Sequence, residues 1–155
     1  MTPTLTHARL HRLEEMPLKA LRALDRERAV TLLPIGMLEV HGDHLPLGTD
    51  TYAVEALALA AAAWLLEHDP ALHIVRLPTI PYGTDPVDRR RPDLFEHAGS
   101  VWVSRETLKS LVGDVVSNLV RYNFRYVFPI GFHGGPDQSR VLAEICAEMR
   151  ARHAG

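Results

Sequence analysis

The sequence predicts a three-layer α/β/α fold, in which helices cover both faces of a mostly parallel β-sheet. Short apolar runs closed by Pro or Gly alternate with segments of ten or more residues that show helical periodicity. A chain of 155 residues, 46% of them hydrophobic and 23% charged, has the size and composition of one compact domain. We therefore expect a single domain over residues 1–155, of which residues 1–16 form a loose N-terminal arm.

The first half of the chain contains a buried strand between two predicted helices. Leucines recur at helical spacing over residues 17–28, which predicts the first helix. The run over 29–36 is apolar and ends in Pro-Ile-Gly, as expected of a buried strand that leads into a loop. A long Ala- and Leu-rich helix follows and extends to Glu67, with Thr49 or Asp50 as its N-cap.

The second half repeats the alternation of strands and helices. Ser104 is the expected N-cap of the helix between the two strands. Residues 82–99, rich in Pro, Asp and Arg, predict a long loop, and loops of this length are typically functional or mobile. The predicted elements are a strand at 73–77, a helix at 105–123, a strand at 125–131 and a helix at 137–152.

Charge and composition argue against several classes of protein. A formal net charge of −2 and a pI near 6.5 do not fit a nucleic-acid-binding protein, and the basic triplet at 89–91 is flanked by Asp residues, as in a solvated loop. A single cysteine, Cys146, cannot form an internal disulfide. The N-terminal sequence lacks a signal-peptide pattern, and the most apolar stretch, 53–66, carries Glu55. We expect a cytoplasmic protein without nucleic-acid or membrane partners.

Imidazole and carboxylate side chains follow two of the predicted strands. Glu39, His41, His44 and Asp50 come after the first strand, and His133 comes after the third. Because the carboxyl ends of parallel strands meet at one edge of a sheet, these side chains are expected to converge there. His and carboxylate groups are natural ligands of Zn²⁺, Mn²⁺ and Fe²⁺. A polar turn with surface histidines is the alternative, and the second group, arriving after a separate strand, favours the metal site.

Three segments of the chain resemble the creatininase family of amidohydrolases. The longest covers 33–50 and contains Pro-x-Gly, Glu-x-His-Gly-x-His-Leu-Pro and Thr-Asp in family order. A second is the Pro-Tyr-Gly at 81–83, and a third, Ile-Gly-Phe-His-Gly-Gly at 130–135, is similar to the family's Asn-Gly-His-Gly-Gly-Asn loop. The similarity extends over roughly residues 30–145, so the chain resembles the N-terminal portion of a family member, in a truncated or divergent form.

The resemblance implies a site for one or two divalent ions, Zn²⁺, Mn²⁺ or Fe²⁺. By motif position, Glu39, Asp50 and His133 would hold one metal, while His41 and Asp50 would hold the second, with Asp50 bridging. A metal-activated water would attack an amide carbon, and the metal would polarise the carbonyl oxygen. Asp50 and His44 are the expected catalytic residues. For His44 the roles of substrate binding, proton transfer and loop support all stay open.

The chain departs from the family pattern at several positions. Gly131-Phe132 replaces Asn-Gly before the motif histidine, Pro136 replaces the Asn after it, and Gly135 stands where creatininase has a glutamate ligand. Asp137 is the nearest acidic residue that could complete the second metal site. Family members are also longer, so the expected pocket is incomplete. An exposed apolar edge of the sheet would favour association with another copy or another chain.

Two hypotheses for the function follow. The first is a metal-dependent amidohydrolase that hydrolyses a C–N bond in a cyclic or linear small-molecule amide and forms a homo-oligomer. The second is a catalytically impaired relative that acts as a metal-binding or subunit-interaction protein. The first hypothesis is favoured because buried polar groups are costly when they bind nothing, and the chain has all four expected metal ligands, Glu39, His41, Asp50 and His133.

Overall fold

A computed structural model describes residues 7–84, 99–135 and 137–152 of the chain. One four-stranded sheet has the order β1 (Leu10–Arg12), β3 (His73–Arg76), β2 (Ala29–Ile35) and β4 (Tyr126–Gly131). All three pairs of neighbouring strands are parallel. The α-helices are α1 (Leu18–Ala23), α2 (Thr49–His68), α3 (Arg105–Arg121) and α4 (Gln138–Arg152), and short 3-10 helices cover Leu13–Glu15 and Arg26–Arg28.

Each face of the sheet has its own apolar core. Successive residues of a strand point to opposite faces, and all seven residues of β2 are buried, as expected of a central parallel strand. Leu33 and Ile35 belong to a core with α3 and α4 on one face, whereas Val30 and Leu32 belong to a core with α2 on the other. The predicted three-layer α/β/α architecture is therefore confirmed.

The prediction that residues 1–16 form a loose N-terminal arm is wrong for the last part of this range. Residues 10–12 form β1, which pairs with β3 in the register Leu10 to Ile74. Across the same two strands, His11 Nε2 lies 3.1 Å from His73 Nδ1. This short strand occupies the edge of β3 that would otherwise expose unpaired backbone groups, which explains why it is ordered. Residues 1–6 lie outside the described residues.

The helix predicted over 17–28 is shorter in the structure. It ends at Ala23, and Leu24 has an extended backbone. The Asp25 carboxylate accepts a hydrogen bond from the Glu27 backbone N–H and so begins a separate 3-10 turn. A local side-chain bond of this kind competes with continuation of the helix.

The N-cap predicted for α2 is also wrong. Gly48, rather than Thr49 or Asp50, is the N-cap, and the helix begins at Thr49. Thr49 Oγ1 donates to the Pro46 carbonyl at 2.6 Å. Asp50 thus lies inside the first turn, where the positive end of the helix dipole favours a carboxylate.

The second half follows the predicted order closely. Ser104 caps α3 by accepting a hydrogen bond from the Thr107 N–H, as predicted. Helix α3 ends two residues earlier than predicted, because Asn123 adopts the left-handed conformation that commonly ends a helix. Most of the loop predicted at 82–99, including the basic triplet at 89–91, and Pro136 lie outside the described residues. Among the helices that the structure describes, none has the length and apolar character needed to cross a membrane.

Candidate metal centre

Four of the predicted site residues converge at the carboxyl edge of the sheet. Glu39 and His41 lie in the loop between β2 and α2, Asp50 lies in the first turn of α2, and His133 follows β4. Because β2 and β4 are adjacent and parallel, the loops that leave them emerge side by side. We call Glu39, His41, Asp50 and His133 the donor cluster.

The atoms of the donor cluster are within direct contact distance of one another. His133 Nδ1 lies 3.0 Å from Glu39 Oε2 and 3.1 Å from Asp50 Oδ2. His41 Nε2 lies 3.2 Å from Asp50 Oδ1 and 3.8 Å from Glu39 Oε2. Each carboxylate oxygen of Asp50 therefore faces a different imidazole. The convergence predicted from the sequence is what the structure shows.

The tautomer of His41 follows from its hydrogen bond. His41 Nδ1 lies 3.0 Å from the backbone carbonyl oxygen of Glu39, which can only accept, so Nδ1 carries the hydrogen. In the neutral ring Nε2 then bears a lone pair, and that lone pair is directed toward the carboxylates of Asp50 and Glu39. A lone pair facing a carboxylate is repulsive unless a proton or a cation lies between them. The arrangement is therefore stable with either a protonated His41 or a bound cation.

Burial and mutual contact shift the pKa values of the cluster. Burial and the neighbouring Glu39 raise the pKa of Asp50, although hydrogen bonding to His133 acts in the opposite direction. Burial acts most strongly on Glu39 and would raise its pKa as well, but the hydrogen bond and charge of His133, together with contacts to Asp50 and His41, outweigh burial and lower the pKa. For His133, burial acts to lower the pKa, and contact with Glu39 and Asp50 reverses this and raises it. The cluster as a whole attracts positive charge.

A tightly packed backbone holds the imidazole of His133. Its side chain is 1% exposed, and Nε2 is buried without a hydrogen-bond partner among the described residues. A Cβ at Gly135 would overlap Nε2 and would lie 2.9 Å and 3.1 Å from two ring carbons. The absence of a side chain at Gly135 is therefore a condition for this ring position, in which Nδ1 faces the carboxylates.

The donor cluster fits a divalent cation. In a tetrahedral site with bonds of 2.0–2.2 Å, neighbouring donor atoms lie about 3.4 Å apart. The four carboxylate–imidazole separations of 3.0–3.8 Å bracket this value, with a different oxygen of Asp50 facing each imidazole. Ligand atoms of Glu39, His41 and Asp50 all lie within 4.8 Å of one another. Two carboxylates and two imidazoles are also a donor set that Zn²⁺, Mn²⁺ and Fe²⁺ accept.

Two other predicted residues lie apart from the cluster. His44 is exposed on the same loop, and none of the hydrogen bonds or ion pairs among the described residues involves it. Asp137 is directed to α3, where its carboxylate lies 3.5 Å from the guanidinium of Arg105. The expectation that Asp137 might complete a second metal site therefore finds no support in its contacts.

Three supporting residues were not predicted from the sequence. Thr51 Oγ1 donates to the Met37 carbonyl at 3.1 Å, and Ser100 Oγ accepts from the Val40 N–H at 3.1 Å, so both hold the loop that carries Glu39. Gln138 is 1% exposed and bonds to two other segments. The helical spacing of the sequence could have predicted that Gln138 is buried. It occupies the first position of the buried face of α4, whose other members are Val141, Ile145 and Met149.

The curated proteins that are similar in sequence share one name. "Mycofactocin precursor peptide peptidase" of Mycobacterium tuberculosis is 30% identical over 127 residues, which cover 80% of this chain and 48% of that protein. The protein of the same name from Mycolicibacterium smegmatis is 30% identical over 129 residues, covering 81% and 48%. The chain thus spans about half the length of these relatives.

Solved structures share the fold. A crystal structure of creatinine amidohydrolase (creatininase) superimposes with a TM-score of 0.70 at 23% identity, over 91% of this chain and 51% of that one. A manganese form of creatininase gives the same TM-score, over 93% and 53%. The sequence matches the creatininase family, described as creatinine amidohydrolase, over residues 14–155. The match over nearly the whole chain, together with the fold, establishes that this protein belongs to the creatininase family.

Proposed function

We propose that this chain is a metal-dependent amidohydrolase, which hydrolyses a C–N bond of an amide at the donor cluster. The observation that carries the proposal is the convergence of two imidazoles on two carboxylates, with His41 Nε2 at 3.2 Å from Asp50 Oδ1 and His133 Nδ1 at 3.0 Å from Glu39 Oε2, because a divalent cation bound there would satisfy all four groups together. Membership of a family that contains amide-hydrolysing enzymes supports the reaction class.

The donor cluster has enough ligands for one cation. Glu39, Asp50 and His133 would hold it, with His41 Nε2 as the fourth donor. A divalent cation in this position supplies the positive charge that lowers the pKa of water and polarises an amide carbonyl. The carbonyl of Glu39 keeps His41 in the correct tautomer and orientation. For His44, which is exposed on the same loop, we propose exchange of a proton between solvent and the leaving nitrogen.

We favour a linear, peptide-like amide as the substrate over a cyclic one. The relatives at 30% identity are named as peptide peptidases, whereas the creatininase structures are 23% identical and support the fold alone. Zn²⁺ and Mn²⁺ are the metals to test first, because solved creatininases include a manganese form and a Zn-Zn form.

The test combines metal analysis with an activity assay. We expect elemental analysis of the purified protein to find about one Zn²⁺ or Mn²⁺ per chain, as four donors predict. The metallated protein is then assayed on short linear peptides and on cyclic amides, and we expect release of amine from the linear peptides. A fully metallated protein without turnover on either panel would support a catalytically impaired relative. A protein that takes up no metal would contradict the proposal.

A second candidate function, subunit association, is favoured by the edge of the sheet. Strand β4 lies at the end of the strand order, and its side chains Tyr126 and Phe128 are 42% and 51% exposed. Phe132, directly after the strand, is also 51% exposed. Apolar side chains along an edge strand are typical of an interface, and we propose that two copies of the chain pair here.

Association is tested by light scattering. We expect the wild-type protein to have twice the mass of the chain or more, and Phe128→Lys to be monomeric, because a charge cannot be buried in an apolar interface without a partner. Leu18→Lys is the matched control, since Leu18 is 59% exposed and belongs to α1 rather than to β4. A monomeric wild-type protein, or an equal effect of both variants, would reject this interface.

A further inference from the structure

A buried amide connects segments at the carboxyl edge of the sheet. Gln138 is the first residue of α4, and its side chain is almost completely removed from solvent. Its Nε2 donates to the Ile35 carbonyl at 3.4 Å, and its Oε1 accepts from the Thr84 N–H at 3.3 Å. Buried polar groups are nearly always hydrogen-bonded. Here the two ends of one side chain reach the end of β2 and the segment that follows β3.

The segments joined by Gln138 lead to the donor cluster. Ile35 is the last residue of β2, and Glu39 follows four positions later. Gln138 itself begins the helix that follows the loop of His133. The amide therefore holds the start of the Glu39 loop and the end of the His133 loop in a constant relative position.

Two glycines allow the close packing around the amide. A Cβ at Gly83 would overlap Gln138 Oε1 and would lie 3.1 Å from the Gly36 carbonyl oxygen. On the opposite side, a Cβ at Gly36 would overlap Thr51, the residue that follows Asp50 in α2. The backbone at Gly36 is thus enclosed between α2 and the Gly83 segment, and Gln138 contacts that segment from α4.

We propose that Gln138 is a positioning residue, which sets the distance between Glu39 and His133 and thereby the cation affinity of the donor cluster. This inference rests on the proposed function, because it presupposes that the cluster binds a cation. Gln138 has no contact with the donor atoms among the residues that the structure describes. It acts through the backbone of β2 and of the segment containing Thr84.

The test compares cation affinity with stability. Gln138→Met removes both hydrogen bonds at nearly constant size, and we expect Co²⁺ or Zn²⁺ to bind roughly 10–100-fold more weakly, as on loss of a supporting partner of a ligand. Val141→Ala is the matched control, because it lies one turn further along the same helix and is fully buried. We expect it to lower the Tm and to leave the affinity and the Co²⁺ absorption spectrum unchanged.

A second variant covers the case in which Gln138→Met does not fold. Gly83→Ala keeps the glutamine but displaces its amide, and we expect a similar loss of affinity. Gly113→Ala is its control, since a Cβ there meets no atom within 4 Å. Wild-type affinity in both Gln138→Met and Gly83→Ala, or an equal loss in Val141→Ala, would overturn the positioning role. Absence of binding by the wild-type protein would instead overturn the proposed function, and the inference with it.

Discussion

Asp50→Asn is expected to abolish stoichiometric metal binding and, with it, amide hydrolysis. The two oxygens of Asp50 face different imidazoles, at 3.2 Å from His41 Nε2 and 3.1 Å from His133 Nδ1. An Asn side chain offers one oxygen and no negative charge. Loss of an outer-sphere partner already weakens metal binding roughly 10–100-fold, so loss of this direct ligand should weaken it at least about 100-fold. Zn²⁺ titration and elemental analysis measure the change.

The same substitution should leave the metal-free fold intact. Burial and the nearby carboxylate of Glu39 raise the pKa of Asp50, which means that folding destabilises its charged form relative to the unfolded chain. A neutral side chain removes this penalty, so the Tm of metal-free Asp50→Asn should equal or exceed that of the metal-free wild type. Asp43→Asn, on the exposed part of the same loop, is the control and should retain metal. Full metal occupancy in Asp50→Asn would contradict the assignment of the ligand.

Gly135→Ala is expected to have the second-largest effect, through the position of His133. The added methyl group would overlap His133 Nε2 and crowd two further atoms of this buried ring, which is 1% exposed. Relief of the overlap requires the imidazole to rotate or the loop to move, and either change takes Nδ1 away from Glu39 and Asp50. We expect at least about a 10-fold loss of metal affinity, comparable with the loss of a partner that orients a ligand.

The neighbouring glycine provides a control for Gly135→Ala. A Cβ at Gly134 meets no atom within 4 Å, so Gly134→Ala adds the same methyl group in open space. We expect Gly134→Ala to bind metal as the wild type does. Metal titration of the two variants side by side, with Tm as the measure of folding, separates displacement of the ring from a general effect of losing a glycine. Equal affinities in the two variants would show that His133 is not a ligand in this ring position.

The overlap between a side chain at position 135 and the ring of His133 also affects how many metal ions the site can hold. The resemblance assigns a glutamate ligand to the position that Gly135 occupies, and in the structure a side chain there would overlap the ring of His133 in its present position. Asp137, the nearest acidic alternative, faces Arg105 instead. Neither position therefore supplies an acidic ligand for a second cation, which agrees with the proposal that Glu39, His41, Asp50 and His133 together hold one cation.

Much of the fold follows from local patterns. The apolar run of β2 and the spacing of apolar residues in α3 and α4 predict those elements to within one or two residues, because burial imposes the period of the secondary structure on the sequence. The errors occur where local preference competes with contacts made far along the chain. Strand β1 has three residues, and only pairing with β3, more than sixty residues away, orders it. The early end of α1 depends on the Asp25 hydrogen bond.

The sequence by itself determined that Glu39, His41, Asp50 and His133 would meet, since they follow strands whose ends share one edge of a parallel sheet, although it grouped His44 with them as well. Only the tertiary structure decided which oxygen of Asp50 faces which imidazole, why Gly135 lacks a side chain, and that Gln138 joins two of the loops. The physical reason is the sequence separation over which each kind of information acts. Periodicity along the chain reports whether a residue is buried, whereas distances between donor atoms arise from packing between segments that are remote in sequence.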